Sequence, residues 1–276
     1  MTGAGGMLGH KVVAAGRAAG HEVVAAGREA CDLTDAEATS AFVAGAAPEA
    51  IVNCAAYTNV DAAEQHEDAA ERVNADAAGN LARAGAAAGA RIVHLSTDYV
   101  FDGVKDRPWL ESDHPAPIGA YGRTKLAGEQ QVAVATPEHA IVRTAWLFGV
   151  GGPNFVDTML RLAGDRDEVA VVTDQTGCPT WTGHLAPALV ALAASDQTGL
   201  FHGAGAGRCT WNDLATETFS RAEVACRATP ATSDTFKRPA PRPAWSVLGT
   251  EREPGVRLPP WPEGLQGHLD EIKENG

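Results

Sequence analysis

Short apolar runs alternate with Ala-rich stretches along the first part of the chain. Apolar and β-branched residues concentrate in four runs: HEVVAAG (21–27), AIVNCAAY (50–57), RIVHLSTDYVF (91–101) and AIVRTAWLFG (140–149). Between them, Ala-rich segments such as residues 62–89 have the spacing of packed helices. Alternation of this kind is typical of parallel strands joined by crossover helices. The pattern therefore predicts an α/β fold, a Rossmann-like doubly wound parallel sheet with a smaller lobe.

The pattern changes from about residue 150 onward. Pro, Gly and Trp become more frequent, as in GCPTW (177–181) and KRPAPRPAW (237–245). Such a composition predicts loops and short helices that form a lobe over the strand ends. VAVVTD (169–174) and GLFHGAGAG (199–207) are also compatible with strands that return to the main sheet.

A glycine-rich turn stands at the start of the chain. The string TGAGGMLG places Gly3, Gly6 and Gly9 in the order G-x-x-G-x-x-G before a helical pattern. Glycines let the backbone approach a pyrophosphate, and a helix N-terminus offers unpaired N–H groups. The turn predicts nucleotide binding, although an ordinary tight turn uses the same residues. An apolar strand normally precedes such a turn, and with Met1 directly before Thr2 we expect part of that strand to be missing.

The residues after the second predicted strand bear on the choice of cofactor. An NAD-binding turn has an acidic residue there, near Ala26 or Gly27, that binds the ribose 2′-hydroxyl. Arg28 stands there instead, and its guanidinium suits a 2′-phosphate. The sequence therefore favours NADPH over NADH, with a solvated surface arginine as the simpler alternative. Asp32 and Leu33 are placed to border the adenine.

Three polar residues form a candidate reaction centre. Tyr121 and Lys125 lie four residues apart in YGRTK, so on a helix they share a face and the ammonium could lower the pKa of the phenol. The phenol would then be a usable acid near neutral pH. A Tyr and a Lys at this spacing also occur by chance on the solvent-exposed face of a helix, and that is the alternative interpretation. STDYVF, earlier in the chain, adds the hydroxyl of Thr97 to the set.

Charge and cysteine content exclude several classes of partner. The formal net charge of −13 disfavours nonspecific attraction to nucleic acid or acidic lipid. The five cysteines are scattered and form no CxxC pair, which predicts reduced buried thiols. We find neither a signal peptide nor an apolar run of about 18 residues, the length that a membrane span needs. We expect a cytoplasmic protein with no nucleic-acid or membrane partner.

Together the motifs resemble the extended short-chain dehydrogenase/reductase family, and within it the dTDP-4-dehydrorhamnose reductases. The resemblance extends over most of the chain. It rests on NCAAYTNVDAAE (53–64), STDYVFDG (96–103), YGRTKLAGE (121–129), RTAWLFG (143–149), NFVDTMLRLA (154–163), DQTGCPT (174–180) and RPAPRPAWSVL (238–248). It implies reduction of the C4 keto group of a dTDP-4-keto-6-deoxy sugar, dTDP-4-dehydro-L-rhamnose, by NADPH or NADH.

The resemblance also implies residue roles. Thr97 would orient the substrate oxygen, Tyr121 would donate the proton, and Lys125 would lower the tyrosine pKa while binding the nicotinamide ribose. With the turn and the Arg28 segment, the expected cofactor-binding residues are Gly3, Gly6, Met7, Leu8, Gly9, Arg28, Asp32, Leu33, Ala55, Ala56, Tyr57, Tyr121 and Lys125. The expected substrate-binding residues are Thr97, Asp98, Trp146, Asn154, Gln175 and Arg242.

The chain also departs from the pattern of the family it resembles. Many relatives have Asn at the position of Trp245, which precedes Ser246 in this chain. His10 and Lys11 lie where some relatives carry the first acid of an intersubunit magnesium site, so we expect no metal. Residues 249–276 look short and Pro-rich, which favours a monomer or a weak homodimer.

The change of pattern near residue 150 predicts two domains. We expect a dinucleotide-binding Rossmann domain over 1–149 and a mainly substrate-binding lobe over 150–276.

Three alternative functions remain. A reductase of another dTDP-4-keto-6-deoxy sugar, in a specialised glycosylation pathway, remains open. A non-catalytic regulatory subunit of the same fold is a second alternative, which an intact Thr97, Tyr121 and Lys125 disfavours. An epimerase or dehydratase is the third, and the chain has no Glu pair of the dehydratase kind.

Overall fold

A parallel sheet forms the centre of the computed structural model, which describes residues 1–275. The strands, in chain order, are β1 (Ala50–Asn53), β2 (Arg91–Thr97), β3 (His139–Thr144), β4 (Leu147–Phe148), β5 (Glu168–Val172), β6 (Thr176–Gly177), β7 (Thr180–Trp181), β8 (Gly199–His202), β9 (Cys209–Thr210) and β10 (Arg227–Ala231). The central sheet has the order β1-β2-β3-β8 with every pair parallel. This confirms the predicted fold class.

Helices cover both faces of this sheet. In chain order, the helices of the described residues are α1 (Gly9–Ala18), α2 (Ala36–Ala46), α3 (Val60–Ala63), α4 (Glu67–Glu71), α5 (Ala77–Ala87), α6 (Ala120–Ala135), α7 (Phe155–Ala163), α8 (Thr182–Ala193), α9 (Trp211–Arg221) and α10 (Trp261–Asn275). A π-helical turn over Arg72–Asp76 joins α4 to α5. On one face α1 packs against α8, and on the other α2, α5 and α6 pack side by side.

Alternate residues of the strands supply the two cores. Val52 and Val93 pack with α8 in one core, whereas Ile51 and Ile92 pack with α5 in the other. Successive side chains of a strand point to opposite faces, so a strand buried on both faces is apolar throughout. This is why the predicted strands read as continuous apolar runs.

The segment before the glycine turn extends the sheet by one residue. Thr2 forms parallel bridges with both Ala26 and Asn53, and the Ala26 N–H donates to the Met1 carbonyl at 2.8 Å. The predicted strand over 21–27 is wrong in extent, because within the described residues Ala26 is the one residue of this run that forms a β-bridge. The neighbouring segment, Met1–Thr2, turns away from the sheet at Gly3. The φ of +70° at Gly3 ends the pairing between the two segments.

The second half of the chain divides between the sheet and the smaller lobe. The run 199–207 contains β8 of the central sheet, whereas the run 169–174 contains β5, which pairs in parallel with β10 in a separate sheet. Helices α7 and α9 pack against β5. The division into domains at residue 149 stays a prediction. No helix within residues 1–275 is long and apolar enough to cross a membrane.

Candidate active site

The carboxyl ends of β1, β2 and β3 open into a cavity of about 1180 Å³. This edge of an open parallel sheet is the usual ligand site in α/β folds. Most of the residues expected from the sequence line it: Gly3, Gly6, Met7, Leu8, Gly9, Arg28, Asp32, Leu33, Ala55, Ala56, Tyr57, Thr97, Asp98, Tyr121, Lys125 and Trp146. The fold therefore gathers residues from widely separated segments at one place.

The glycine turn is packed too tightly for side chains at two of its three glycines. A Cβ at Gly3 would lie 2.6 Å from the Ala55 nitrogen, and one at Gly9 would lie 2.0 Å from the Gly3 carbonyl oxygen. A Cβ at Gly6 would meet only the Gly3 oxygen, at 3.4 Å. Gly9 also begins α1, so the turn aims the N-terminus of that helix at the cavity. Backbone N–H groups there suit the phosphates of a dinucleotide.

Thr97, Asp98 and Tyr121 meet at the end of β2. The Thr97 hydroxyl donates to Asp98 Oδ1 at 3.0 Å, and the nearby Thr97 side chain also acts to lower the pKa of Tyr121. Burial outweighs the effect of Thr97 and raises the pKa of Tyr121 to about 12. Burial likewise raises the pKa of Asp98 to about 6, although the Ser246 and Thr97 side chains act to lower it.

Lys125 is buried beneath the same end of the cavity. Its ammonium donates to the Leu95 carbonyl at 2.6 Å and lies 3.4 Å from His94 Nε2. Burial lowers the pKa of Lys125 to about 8. The expectation that Lys125 brings the pKa of Tyr121 below its ordinary value is therefore wrong for this arrangement. The ammonium is directed to β2, and the phenol is governed by its own burial.

Trp146 forms one wall of the cavity in a strained backbone conformation. Its φ is +48°, a region that bulky residues seldom adopt. The ring stacks on Trp211, with centroids 3.5 Å apart, and a Cβ at Gly177 would come within 2.4 Å of it. Strain of this kind persists only where surrounding packing enforces it, and it occurs often at ligand sites.

Arg28, Asp32 and Leu33 line the other end of the cavity. Arg28 is exposed, and so its guanidinium can meet a ligand without loss of a protein partner. Asp32 accepts hydrogen bonds from the backbone and the hydroxyl of Thr34, at 3.0 and 2.8 Å. The Thr34 bonds lower the pKa of Asp32, and the nearby Arg28 charge acts in the same direction. This end therefore presents one positive side chain, Arg28, and two acidic side chains, Glu29 and Asp32, to solvent.

Three of the expected substrate-binding residues do not line the cavity. Asn154 caps α7 by accepting from the Asp157 N–H at 3.0 Å, and its amide donates to the Gly149 carbonyl. Gln175 accepts from the Trp211 indole at 3.1 Å. Arg242 pairs with Asp61 at 2.8 Å. The side chains of these residues are thus engaged in holding the protein's own structure. Asn154 and Gln175 still contact the cavity lining, through the Gly152 carbonyl and the Trp211 indole.

A known protein family matches almost the whole chain. The profile described as "RmlD substrate binding domain" matches residues 1–274. The chain belongs to this family. Within the RmlD family, it is 44% identical to a dTDP-4-dehydrorhamnose reductase of Mycolicibacterium smegmatis, over 96% of this chain and 83% of that protein. It is 47% identical to a dTDP-4-keto-6-deoxy-D-glucose reductase of Streptomyces niveus, over 93% and 90%.

A solved structure of similar fold contains the cofactor named above. A dTDP-4-dehydrorhamnose reductase from Bacillus anthracis, solved in complex with NADP, superposes with a TM-score of 0.95 at 36% identity. The match covers 98% of this chain and 97% of that one. The resemblance to the reductase family and the Rossmann-like fold class are thereby confirmed.

This RmlD-family chain has further cavity residues that its motifs did not single out. Trp211 lines the cavity and lies in the second half of the chain, where no motif pointed to it. Thr144 ends β3 at the cavity, and its buried hydroxyl has no hydrogen-bond partner within residues 1–275. A polar residue that ends a predicted buried strand is the signal that could have identified Thr144.

Proposed function

We propose that this protein reduces the C4 keto group of a dTDP-4-keto-6-deoxy sugar, with dTDP-4-dehydro-L-rhamnose as the first candidate. The observation that carries the proposal is the grouping of Thr97, Asp98 and Tyr121 in the same cavity as the glycine turn. The names of the relatives agree with this assignment. A keto sugar at Tyr121 and a dinucleotide on the turn would then face each other inside one cavity.

The glycine turn fits a nicotinamide dinucleotide. Gly3 and Gly9 leave no room for a Cβ, so the backbone itself forms the surface of the cradle at the N-terminus of α1. When bound there, a reduced nicotinamide supplies the hydride that the carbonyl carbon accepts. The Bacillus anthracis relative, solved in complex with NADP, supports a nicotinamide dinucleotide as the cofactor.

Tyr121 is suited to give a proton to the oxygen that becomes an alkoxide. Its pKa of about 12 keeps the phenol protonated at neutral pH, and the alkoxide that forms during reduction is a stronger base than the phenolate. Thr97 lies in the same cavity as the phenol, and its hydroxyl can turn toward the substrate oxygen. Lys125, on the same face of α6, supplies positive charge beside the site.

Arg28 is the residue that we propose to select NADPH over NADH. Its exposed guanidinium at the cavity edge can pair with a 2′-phosphate. In steady-state assays, Arg28→Ala should raise the KM for NADPH roughly ten-fold and change the KM for NADH little, because one charge-assisted contact contributes about 1.4 kcal/mol or more. Equal changes for both cofactors would contradict this role.

A second candidate is reduction of a different dTDP-4-keto-6-deoxy sugar. The Streptomyces niveus relative, whose name specifies dTDP-4-keto-6-deoxy-D-glucose, is as similar to this chain as the dehydrorhamnose reductases are. The decisive experiment incubates the purified protein with each keto sugar and each reduced cofactor, follows nicotinamide absorbance, and determines the product by NMR. The configuration at C4 and C5 of the product distinguishes the two reductases. No oxidation of cofactor with any of these sugars would overturn both candidates and favour a regulatory subunit.

The assembly state and the location of the protein stay part of the proposal. A monomer or weak homodimer in the cytoplasm is what the sequence predicts. Light scattering across a range of protein concentrations measures the assembly state, and a tight dimer at low concentration would contradict it.

A further inference from the structure

A buried chain of polar side chains runs behind the cavity and ends at Lys125. The Thr2 hydroxyl donates to Asn53 Oδ1 at 2.8 Å, the Asn53 amide contacts His94 Nδ1 at 3.0 Å, and His94 Nε2 lies 3.4 Å from Lys125 Nζ. Asn53, His94 and Lys125 are at most 2% exposed. Among the lining residues of the cavity, Lys125 is present, whereas Asn53 and His94 are not. The ring of His94 contacts the cavity lining through Lys125.

The backbone fixes the orientation of the Asn53 amide. The Ala55 N–H donates to Asn53 Oδ1 at 3.1 Å, and a backbone N–H can only donate. The atom facing Ala55 is therefore the amide oxygen, and the NH₂ group faces His94 Nδ1. His94 Nδ1 must accept this bond, so a neutral ring carries its proton on Nε2. Burial lowers the pKa of His94 well below its ordinary value, which keeps the ring neutral.

The proton on His94 Nε2 is directed at Lys125. An ammonium can only donate, so two donors face each other across the 3.4 Å contact when Lys125 is charged. A neutral amine instead accepts from His94 Nε2–H while it still donates to the Leu95 carbonyl. The contact therefore favours the amine.

Other groups around Lys125 act in the opposite direction. Glu129 lies one turn further along α6 and favours the ammonium, as does Cys54 at the end of β1. Both effects are limited. Glu129 is paired with Arg143 of β3 through bonds of 2.8 and 2.6 Å, and burial raises the pKa of Cys54 to about 12, so its thiol is neutral.

We propose that His94, held in its Nε2–H tautomer by Asn53, is a positioning residue that biases Lys125 toward the neutral amine. This inference rests on the proposed function, in which Lys125 supplies positive charge beside Tyr121. Under it, His94 sets the upper pH limit of the reductase, because the charge of Lys125 is lost as the pH rises. His94 thereby acts on the reaction without touching cofactor or sugar.

The first test reads the tautomer directly in the unaltered protein. Two-dimensional ¹⁵N–¹H correlation of ¹⁵N-histidine-labelled protein at neutral pH distinguishes a protonated Nε2 from a protonated Nδ1. The His94 signal is assigned by its loss in His94→Phe, or by selective spin coupling if that variant does not fold. We expect protonation at Nε2. Protonation at Nδ1, or a charged ring, would overturn the inference whatever the activity of the protein.

The second test measures the titration of Lys125. His94→Phe keeps a buried ring but removes the N–H that faces the amine, so the Lys125 midpoint should rise by roughly one pH unit. Chemical shifts of ¹⁵Nζ-labelled lysine report this midpoint, with the signal assigned by its absence in Lys125→Met. His202→Phe is the matched control, because His202 is a buried histidine of β8 whose ring contacts the Trp109 and Gly249 carbonyls, away from Lys125. An unchanged or lowered midpoint in His94→Phe, or an equal rise in His202→Phe, would overturn the inference.

Activity supplies an independent reading. The alkaline limb of the pH profile of kcat should move upward with the Lys125 midpoint in His94→Phe and stay in place in His202→Phe. The titration needs neither substrate nor turnover, so failure of the proposed reductase leaves it readable. An active reductase whose His94→Phe variant keeps the wild-type limb would overturn only the inference about His94.

Discussion

Trp146 and Trp211 stack face to face, with ring centroids 3.5 Å apart and planes inclined by 5°. Trp146 follows β3 with a φ of +48°, so its position depends on what surrounds the ring. Gly177 closes one side, and Trp211 the other. The Trp211 indole is in turn fixed by Gln175, which also donates to Ser233 at 2.8 Å. The wall of the cavity is thus held by the smaller lobe.

Trp211→Ala should therefore weaken binding of the nucleotide sugar. An aromatic pair contributes about 0.5–1.5 kcal/mol beyond area burial, so we expect the KM for the keto sugar to rise about two- to ten-fold. The KM for the cofactor should change little. Steady-state kinetics measures both, and Trp211→Phe is the control, because it keeps a ring under Trp146. A change confined to the cofactor KM would contradict this assignment of the wall.

Replacing the phenol tests the proposed acid. Tyr121→Phe removes the hydroxyl but keeps the ring, which meets Tyr99 edge-on at 5.6 Å. General acid assistance contributes about 10²–10⁴ in rate, and turnover should fall by that factor. Cofactor affinity, measured by nicotinamide fluorescence, should be retained. Turnover near that of the wild type would show that another group delivers the proton.

The buried carboxyl of Asp98 should make stability fall as the pH rises. Its pKa in the folded protein is about 6, above the ordinary value of 3.8, so the folded state binds the proton more tightly. Its stabilising contribution is complete below about pH 3.8 and is lost as the pH rises through 6. Between pH 4 and 6.5, the unfolding free energy of the wild type should therefore fall by on the order of 2–3 kcal/mol relative to that of Asp98→Asn. Urea unfolding at several pH values measures this shift, and a constant difference would contradict the raised pKa.

The buried pair of Glu129 and Arg143 should matter far more than an exposed one. Their side chains are 7% and 3% exposed, so loss of one partner leaves the other charged and buried. Glu129→Gln should lower the unfolding free energy by about 3–5 kcal/mol. Glu168→Gln is the control, since Glu168 pairs with Arg227 in solvent and should cost less than about 1 kcal/mol. Similar losses in the two variants, measured by urea unfolding, would refute the distinction.

The glycine turn offers a paired substitution. A Cβ at Gly9 would lie 2.0 Å from the Gly3 carbonyl oxygen, so Gly9→Ala must displace the turn. We expect a loss of about 2 kcal/mol or more in stability, in the upper part of the range for single substitutions, together with weaker cofactor binding. Gly6→Ala meets only an ordinary contact of 3.4 Å and should change stability by less than about 1 kcal/mol. Thermal unfolding ranks the two variants, and the reverse order would contradict the packing of the turn.

Local residue patterns were sufficient to predict the fold class and most of the predicted site residues that line the cavity. Continuous apolar runs identified β1, β2 and β3, because strands buried on both faces contain few polar positions. Glycines before a helix identified the turn, and the STDYVF motif, through its resemblance to the reductase family, identified Thr97 and Asp98. These signals are local, since each depends on residues that are neighbours in sequence or on one helix face.

The remaining features depend on contacts between distant segments, and only the tertiary structure decided them. The β-pairing at Ala26 is short because the paired segment at Thr2 turns away at Gly3. Asn154 acts as a cap of α7, which the sequence pattern did not indicate. The pKa of Tyr121 rises although a lysine lies four residues away, because burial and the direction of an ammonium are properties of packing. The sequence thus determined which chemistry-bearing residues the chain has and roughly where its strands run. Folding decided their protonation and partners, because both depend on exclusion of water and on side chains far away in the chain.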